Sequence, residues 1–218
     1  MGFMTSGDIY GLLLVYVYVF LLIIITEKIV NRGLLSRKIL HIGVGNVLFI
    51  LPIFNTGWVM TFLAAFPFVL FTFLISPYSP LKIVSKTSSK GHSLGLFYYA
   101  ISWTILAFFF FERMEVIAIG IAAMSFGDGF ASMVGIRCGT RKFNVCGDEK
   151  SLEGSMTMFA VTGVMMFVAL VYYGINPIPV FALILIPLVA TISEAITPRG
   201  LDNLTVSLST AILYYILF

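Results

Sequence analysis

Apolar residues run along this chain in eight long stretches separated by short polar segments. The stretches cover approximately residues 9–25, 39–54, 59–75, 94–111, 116–136, 152–173, 177–196 and 204–218. A helix needs about 20 mostly apolar residues, within a range of roughly 17–25, to cross a bilayer. The pattern therefore predicts an all-α, polytopic transmembrane bundle of about eight spans, in which the second and last are the shortest. Gly57-Trp58 and Asn176-Pro177 mark tight turns between spans.

Composition agrees with that pattern. Hydrophobic residues make up 60% of the chain and charged residues 11%, against about a quarter charged in an ordinary soluble domain. A length of 218 residues suits one integral membrane catalytic domain spanning 1–218. The net charge of +3 is spread over loops and gives no footprint for nucleic acid. The opening MGFMTSGDIY carries Asp8 in place of a basic signal-peptide region, so the first apolar stretch reads as a retained span. Cys138 and Cys146 share one loop without a metal-binding spacing and read as two free thiols.

Charge placement orients the bundle. Under eight spans, twelve of the thirteen basic residues fall on one face: Lys28, Arg32, Arg37, Lys38, Lys82, Lys86, Lys90, Arg137, Arg141, Lys142, Lys150 and Arg199, with Arg113 alone opposite. The positive-inside rule makes that face cytoplasmic and puts both termini outside. Candidate chemistry gathers on the same face.

Asp128, between Gly127 and Gly129 in SFGDGFAS, lies about nine residues inside an apolar stretch, or about 13 Å along a helix. A charge at that depth costs at least about 2.5–3.5 kcal/mol on insertion scales and marks a functional site by default. The flanking glycines would open backbone N–H groups to a ligand. In KSLEGS, Ser151 is placed to cap the next helix and Glu153 sits in its first turn. A nucleotide phosphate could use the same helix N-terminus, with Lys150 as counter-charge. Glu194 ends the seventh stretch, and Asp202 and Asn203 precede the eighth.

Upstream, SRKILHIGVGN carries Arg37 and, four residues on, His41 on one helical face, with Lys38 beside them. The basic segment SKTSSKGHSLG, containing Lys90, suits either a solvated linker or a loop closing over a phosphate-bearing ligand. Together Asp128, Glu153, Glu194 and Asp202, with basic residues beside them, have the composition of a magnesium–nucleotide site. No Walker A or protein-kinase signature is present.

The ordered set GDGFASMVGIRCG, KSLEGS and DNLTV, with RKILHIGVG upstream, resembles the CTP-dependent lipid and polyprenol kinases. That family includes dolichol kinase, phytol kinase and the fungal-type diacylglycerol kinase. The resemblance runs from about Arg37 to Val206. It implies phosphoryl transfer from CTP to the hydroxyl of a membrane lipid alcohol, releasing CDP, in a plasma, endoplasmic-reticulum or plastid membrane. It also implies nucleotide binding by Gly127, Asp128 and Gly129 and by Lys150, Glu153 and Gly154. On this reading Asp128 and Asp202 hold Mg²⁺, Glu153 or Asn203 completes the shell, and Lys150, Arg141 and Lys142 clamp phosphates. Arg37, Lys38 or His41 contacts the donor or the product phosphate, and His41 or a carboxylate accepts the alcohol proton. A more distant likeness to phosphatidate cytidylyltransferase implies nucleotidyl transfer as the alternative, but Asp202-Asn203-Leu204-Thr205 departs from that enzyme's signature. An ion-coupled transporter is a second alternative. It would show matching polar breaks in both halves of the chain, and none is visible.

Overall fold

The computed structural model describes residues 3–30, 33–79, 94–145, 148–198 and 200–218. Cys146, Arg199 and the segment containing Lys82, Lys86, Lys90 and His92 lie outside the described residues. A helix stands at each of the eight apolar stretches. Among the described residues, four helices are long and apolar enough to cross a membrane: Ser6–Lys28, Leu35–Ile53, Met114–Cys138 and Leu152–Tyr172. Val59–Leu74, Gly95–Phe110 and Ala182–Ile196 are apolar but shorter. The chain divides into two compact units, Met1–Met114 and Glu115–Phe218.

The first unit opens with α1 (Ser6–Ile24). Thr5 caps it, and Asp8 returns the bond in a capping box. Asp8 does more than cap. Its buried carboxylate also accepts from the backbone N–H groups of Asn55 and Thr56 at 2.9 and 3.0 Å and from the Thr56 hydroxyl at 2.7 Å. It thus fastens the start of α1 to the turn that follows α2 (Gly33–Gly45) and its 3-10 extension.

A π-helical segment, Val59–Ala65, leads into α3 (Phe66–Leu74). Pro67 offers no N–H to the Leu63 carbonyl four residues earlier, and the Tyr16 hydroxyl donates to that oxygen at 2.5 Å. The missing backbone bond therefore becomes a tie between α1 and this helix. The unit closes with α4 (Gly95–Phe110), where the Tyr99 hydroxyl donates to the His41 carbonyl at 3.1 Å and the two rings pack 4.5 Å apart.

The second unit is built around one long helix. It comprises α5 (Met114–Ile121), a π-helical segment Ala122–Asp128, and α6 (Gly129–Cys138). Residues 116–129 of this helix are buried throughout, as expected where the sequence is apolar all round. A hairpin of β1 (Lys142–Val145) and β2 (Asp148–Ser151) follows, pairing Lys142 with Ser151 and Phe143 with Lys150. This corrects the all-α expectation: the hairpin is short and polar, and its alternation is too brief to stand out in a loop. Then come α7 (Leu152–Tyr172), α8 (Ala182–Ile196) and α9 (Asp202–Leu217). A small core of Ala123, Ala131, Met158, Ala190 and Val206 joins these helices.

Candidate active site

Three turns of the second unit deliver three acids to one place. Asp128 ends the π-helical segment, Glu194 lies in the last turn of α8, and Asp202 opens α9. Each offers a carboxylate oxygen, and these atoms lie within 4.8 Å of one another. Asp128 and Glu194 are buried and Asp202 is half-buried.

Local sequence explains each placement. A π turn carries an extra residue per hydrogen-bonded ring, a device common at functional sites. Within it Gly127 presses against α7, where an added Cβ would meet the Thr162 hydroxyl and, at 2.8 Å, the Met158 sulfur. Pro198 stops α8, and Gly200 turns the chain back with φ +79°. Asp202 therefore returns to the level of Glu194 only eight residues later. Its carboxylate accepts from the Asn203 N–H at 2.9 Å, and the Asn203 amide donates to the Gly200 carbonyl at 3.2 Å.

Lys150 is anchored beside the acids. Its ammonium donates to Glu194 Oε1 at 2.8 Å, to the Glu194 carbonyl, and to the Thr197 carbonyl at 3.2 Å. The last two are carbonyls at the C-terminal end of α8, where a cation is favoured. Both side chains of the ion pair are nearly buried, at 11% and 12% exposure. The all-oxygen donor set of the three acids fits a hard divalent ion such as Mg²⁺.

The remaining expected site residues divide clearly. Glu153, expected among the metal ligands, is not one of the three converging acids. It accepts the Thr140 hydroxyl and, at 3.3 Å, the Arg141 N–H, closing the loop before the hairpin. Ser151 caps α7 by accepting from the Gly154 N–H at 3.1 Å, as the sequence indicates. Gly154 itself is a packing residue, because a Cβ there would lie 3.1 Å from the Ala131 carbonyl of α6. Gly129 is buried in the first turn of α6. Lys142 pairs with Glu149 at 2.7 Å on the surface, and Arg141 is exposed. Arg37, Lys38 and His41 belong to α2 in the first unit, where His41 is buried against Tyr99.

Sequence reasoning grouped Glu194 with Asp128, Glu153 and Asp202 but left it out of the expected metal ligands, in favour of Glu153. The signal available was the Pro198–Gly200 return that brings it to Asp202. It missed the role of Thr140 outright.

Similarity to known proteins covers nearly the whole chain. The chain is 34% identical over 201 residues to a phytol kinase of Synechocystis sp., spanning 88% of this chain and 84% of that protein. It is 31% identical to a probable chloroplastic phytol kinase of Triticum aestivum, covering 89% of this chain and 71% of the relative. It is also 31% identical to the chloroplastic phytol kinase 1 of Arabidopsis thaliana, with 89% and 70% covered. No family profile matches the chain, and no solved structure matches it.

Proposed function

Because the chain belongs to the phytol kinase family, within the CTP-dependent lipid kinases, we propose that it phosphorylates the hydroxyl of a membrane isoprenoid alcohol of the phytol class, takes the phosphoryl group from CTP, and works at the cytoplasmic face. The observation that carries the site assignment is the convergence of Asp128, Glu194 and Asp202 within 4.8 Å. Phosphoryl transfer asks a protein chiefly for positioning and for stabilisation of charge, and this arrangement offers both.

Asp128, Glu194 and Asp202 would hold Mg²⁺. The bound ion would supply neutralisation of the donor's phosphate oxygens. Lys150 holds Glu194 in place through its carboxylate and its carbonyl, and so fixes one wall of the site. Its charge also lowers the repulsion among the carboxylates. Asn203 fixes the turn that presents Asp202. The alcohol oxygen attacks the terminal phosphorus, its proton passes to a base, and the bond to the bridging oxygen breaks to release CDP. A carboxylate of the trio that is not engaged with the cation is the candidate base.

The test uses the purified full chain in lipid nanodiscs with CTP labelled separately in its terminal phosphate and its base. Terminal phosphate appearing in phytol or a related isoprenoid alcohol supports the reading. Label from the base entering a phospholipid would replace it with nucleotidyl transfer.

A further inference from the structure

The first unit contains a cavity of about 230 Å³ to which phosphoryl transfer at the acidic trio assigns no role. Along α1 it is lined by Val15, Val19 and Ile23, spaced four apart, and then by Glu27 in the following π-helical turn. Val15 to Ile23 is about 12 Å at the α-helical rise, and Glu27 adds roughly one more turn. The cavity is therefore about as long as one leaflet of hydrocarbon, roughly 15 Å, and narrow for its length.

Its two ends differ. At the Val15 end the lining residues Leu51, Phe54 and Met60 are each 2% exposed. At the Glu27 end Glu27 and Ile75 are half-buried and Phe71 is 46% exposed. The lining is closed at the Val15 end and more open toward Glu27. Polarity follows the same gradient. The deep end is apolar, whereas Glu27 and His41 lie toward the other end, with the lining residue Tyr99 packed on His41.

We propose that this shaft is the chain-binding subsite for a single-chain isoprenoid alcohol, with the hydrocarbon tail in the closed end and the hydroxyl at Glu27 and His41. The assignment rests on the lipid-alcohol reading for its choice of ligand. A two-chain phospholipid does not fit a shaft one chain wide. A polyprenol much longer than one leaflet meets the Leu51–Phe54 floor, so the shaft selects chains of phytol length over those of dolichol length. The His41 ring is held for this role by Tyr99, which packs on it and bonds its carbonyl.

Trp103 lines the shaft, and Trp58 is the only other tryptophan. In the Trp58→Phe protein, reconstituted as the full chain in nanodiscs, Trp103 fluorescence reports occupancy. The probe is an isoprenoid alcohol of phytol length brominated midway along its tail. The expected result is saturable quenching that unlabelled phytol reverses and a dolichol-length polyprenol does not. Ala100→Phe, which fills the shaft one turn from Trp103, abolishes the quenching and raises KM for the alcohol about tenfold while KM for the nucleotide stays unchanged. Ala64→Leu, a smaller filling of the same wall, gives a lesser shift in the same direction and serves if the first variant does not fold.

Quenching that rises without saturation, matching a brominated phospholipid, overturns the proposal even in an active kinase. Equal competition by the long polyprenol overturns the length limit. Saturable quenching in a protein that transfers no phosphate keeps the subsite and sinks the kinase reading instead.

Discussion

Two glutamates near the acidic face separate the candidate chemistry from its scaffolding. Glu194 stands within 4.8 Å of Asp128 and Asp202, whereas Glu153 serves Thr140 and Arg141. Asp128→Asn and Glu194→Gln should each lower turnover by at least about a hundredfold, the scale of removing one electrostatic stabiliser from a reacting centre, with little change in melting temperature. Glu153→Gln should leave turnover within a few-fold, because its carboxylate lies outside the trio. Steady-state assays with matched thermal melts check all three, and an inactive Glu153→Gln protein that melts normally would return Glu153 to the metal set. Chelation by EDTA should stop the reaction and added Mg²⁺ restore it, while a cation-independent rate would remove the metal reading. Ser151 as a cap was legible because capping is decided within four residues. The choice between Glu153 and Glu194 was not, because both close or open helices at the same face. Only the packing of α8 against α9 decides which one meets Asp128.

Helix contacts make a sharper prediction than helix propensity does. Three glycines of the second unit lie along the faces of the packed helices, and the space beside each differs. At Gly127 an added Cβ would meet Met158 at 2.8 Å, and at Gly154 it would lie 3.1 Å from a backbone carbonyl, but at Gly163 the nearest atoms are 3.6 Å away. Gly127→Ala should therefore destabilise by about 1–3 kcal/mol, the usual cost of overpacking. Gly163→Ala should be neutral or slightly stabilising, since alanine is about 1 kcal/mol better in a helix interior. Thermal melts of the two variants under identical lipid conditions give the comparison, and a shared direction of change would contradict it. The apolar stretches marked out these helices well, because continuous hydrophobicity is a one-dimensional signal. The β1–β2 hairpin was hidden in a polar loop, and the π turns depend on packing and proline chemistry that no local pattern displays. Asp8, first read only as evidence about a leader, turned out to tie α1 to Asn55 and Thr56.

At the scale of the whole chain the open question is its path through the bilayer. Among the described residues four helices have the length and hydrophobicity to cross, and three apolar ones are shorter. Twelve of thirteen basic residues share one face when all eight stretches cross, and the charge bias is the stronger guide to orientation. Tags at both termini should then be reached only from the outer side of intact vesicles, and single cysteines replacing Lys142 or Glu149 in the hairpin only from the cytoplasmic side. Termini on opposite sides would require an odd number of crossings and overturn the eight-span reading.

The setting of Lys150 has one more consequence, for chemical footprinting. An ammonium at 11% exposure with three oxygen acceptors is a poor nucleophile toward amine-directed reagents. Lys142, half exposed and held by a single surface partner, stays reactive. In mass-spectrometric labelling of the intact protein, Lys142 acts as the internal standard and Lys150 stays silent. The moment at which Lys150 begins to label, under lipid change, nucleotide addition or mutation, times the loosening of α8 from the hairpin without any assay of turnover.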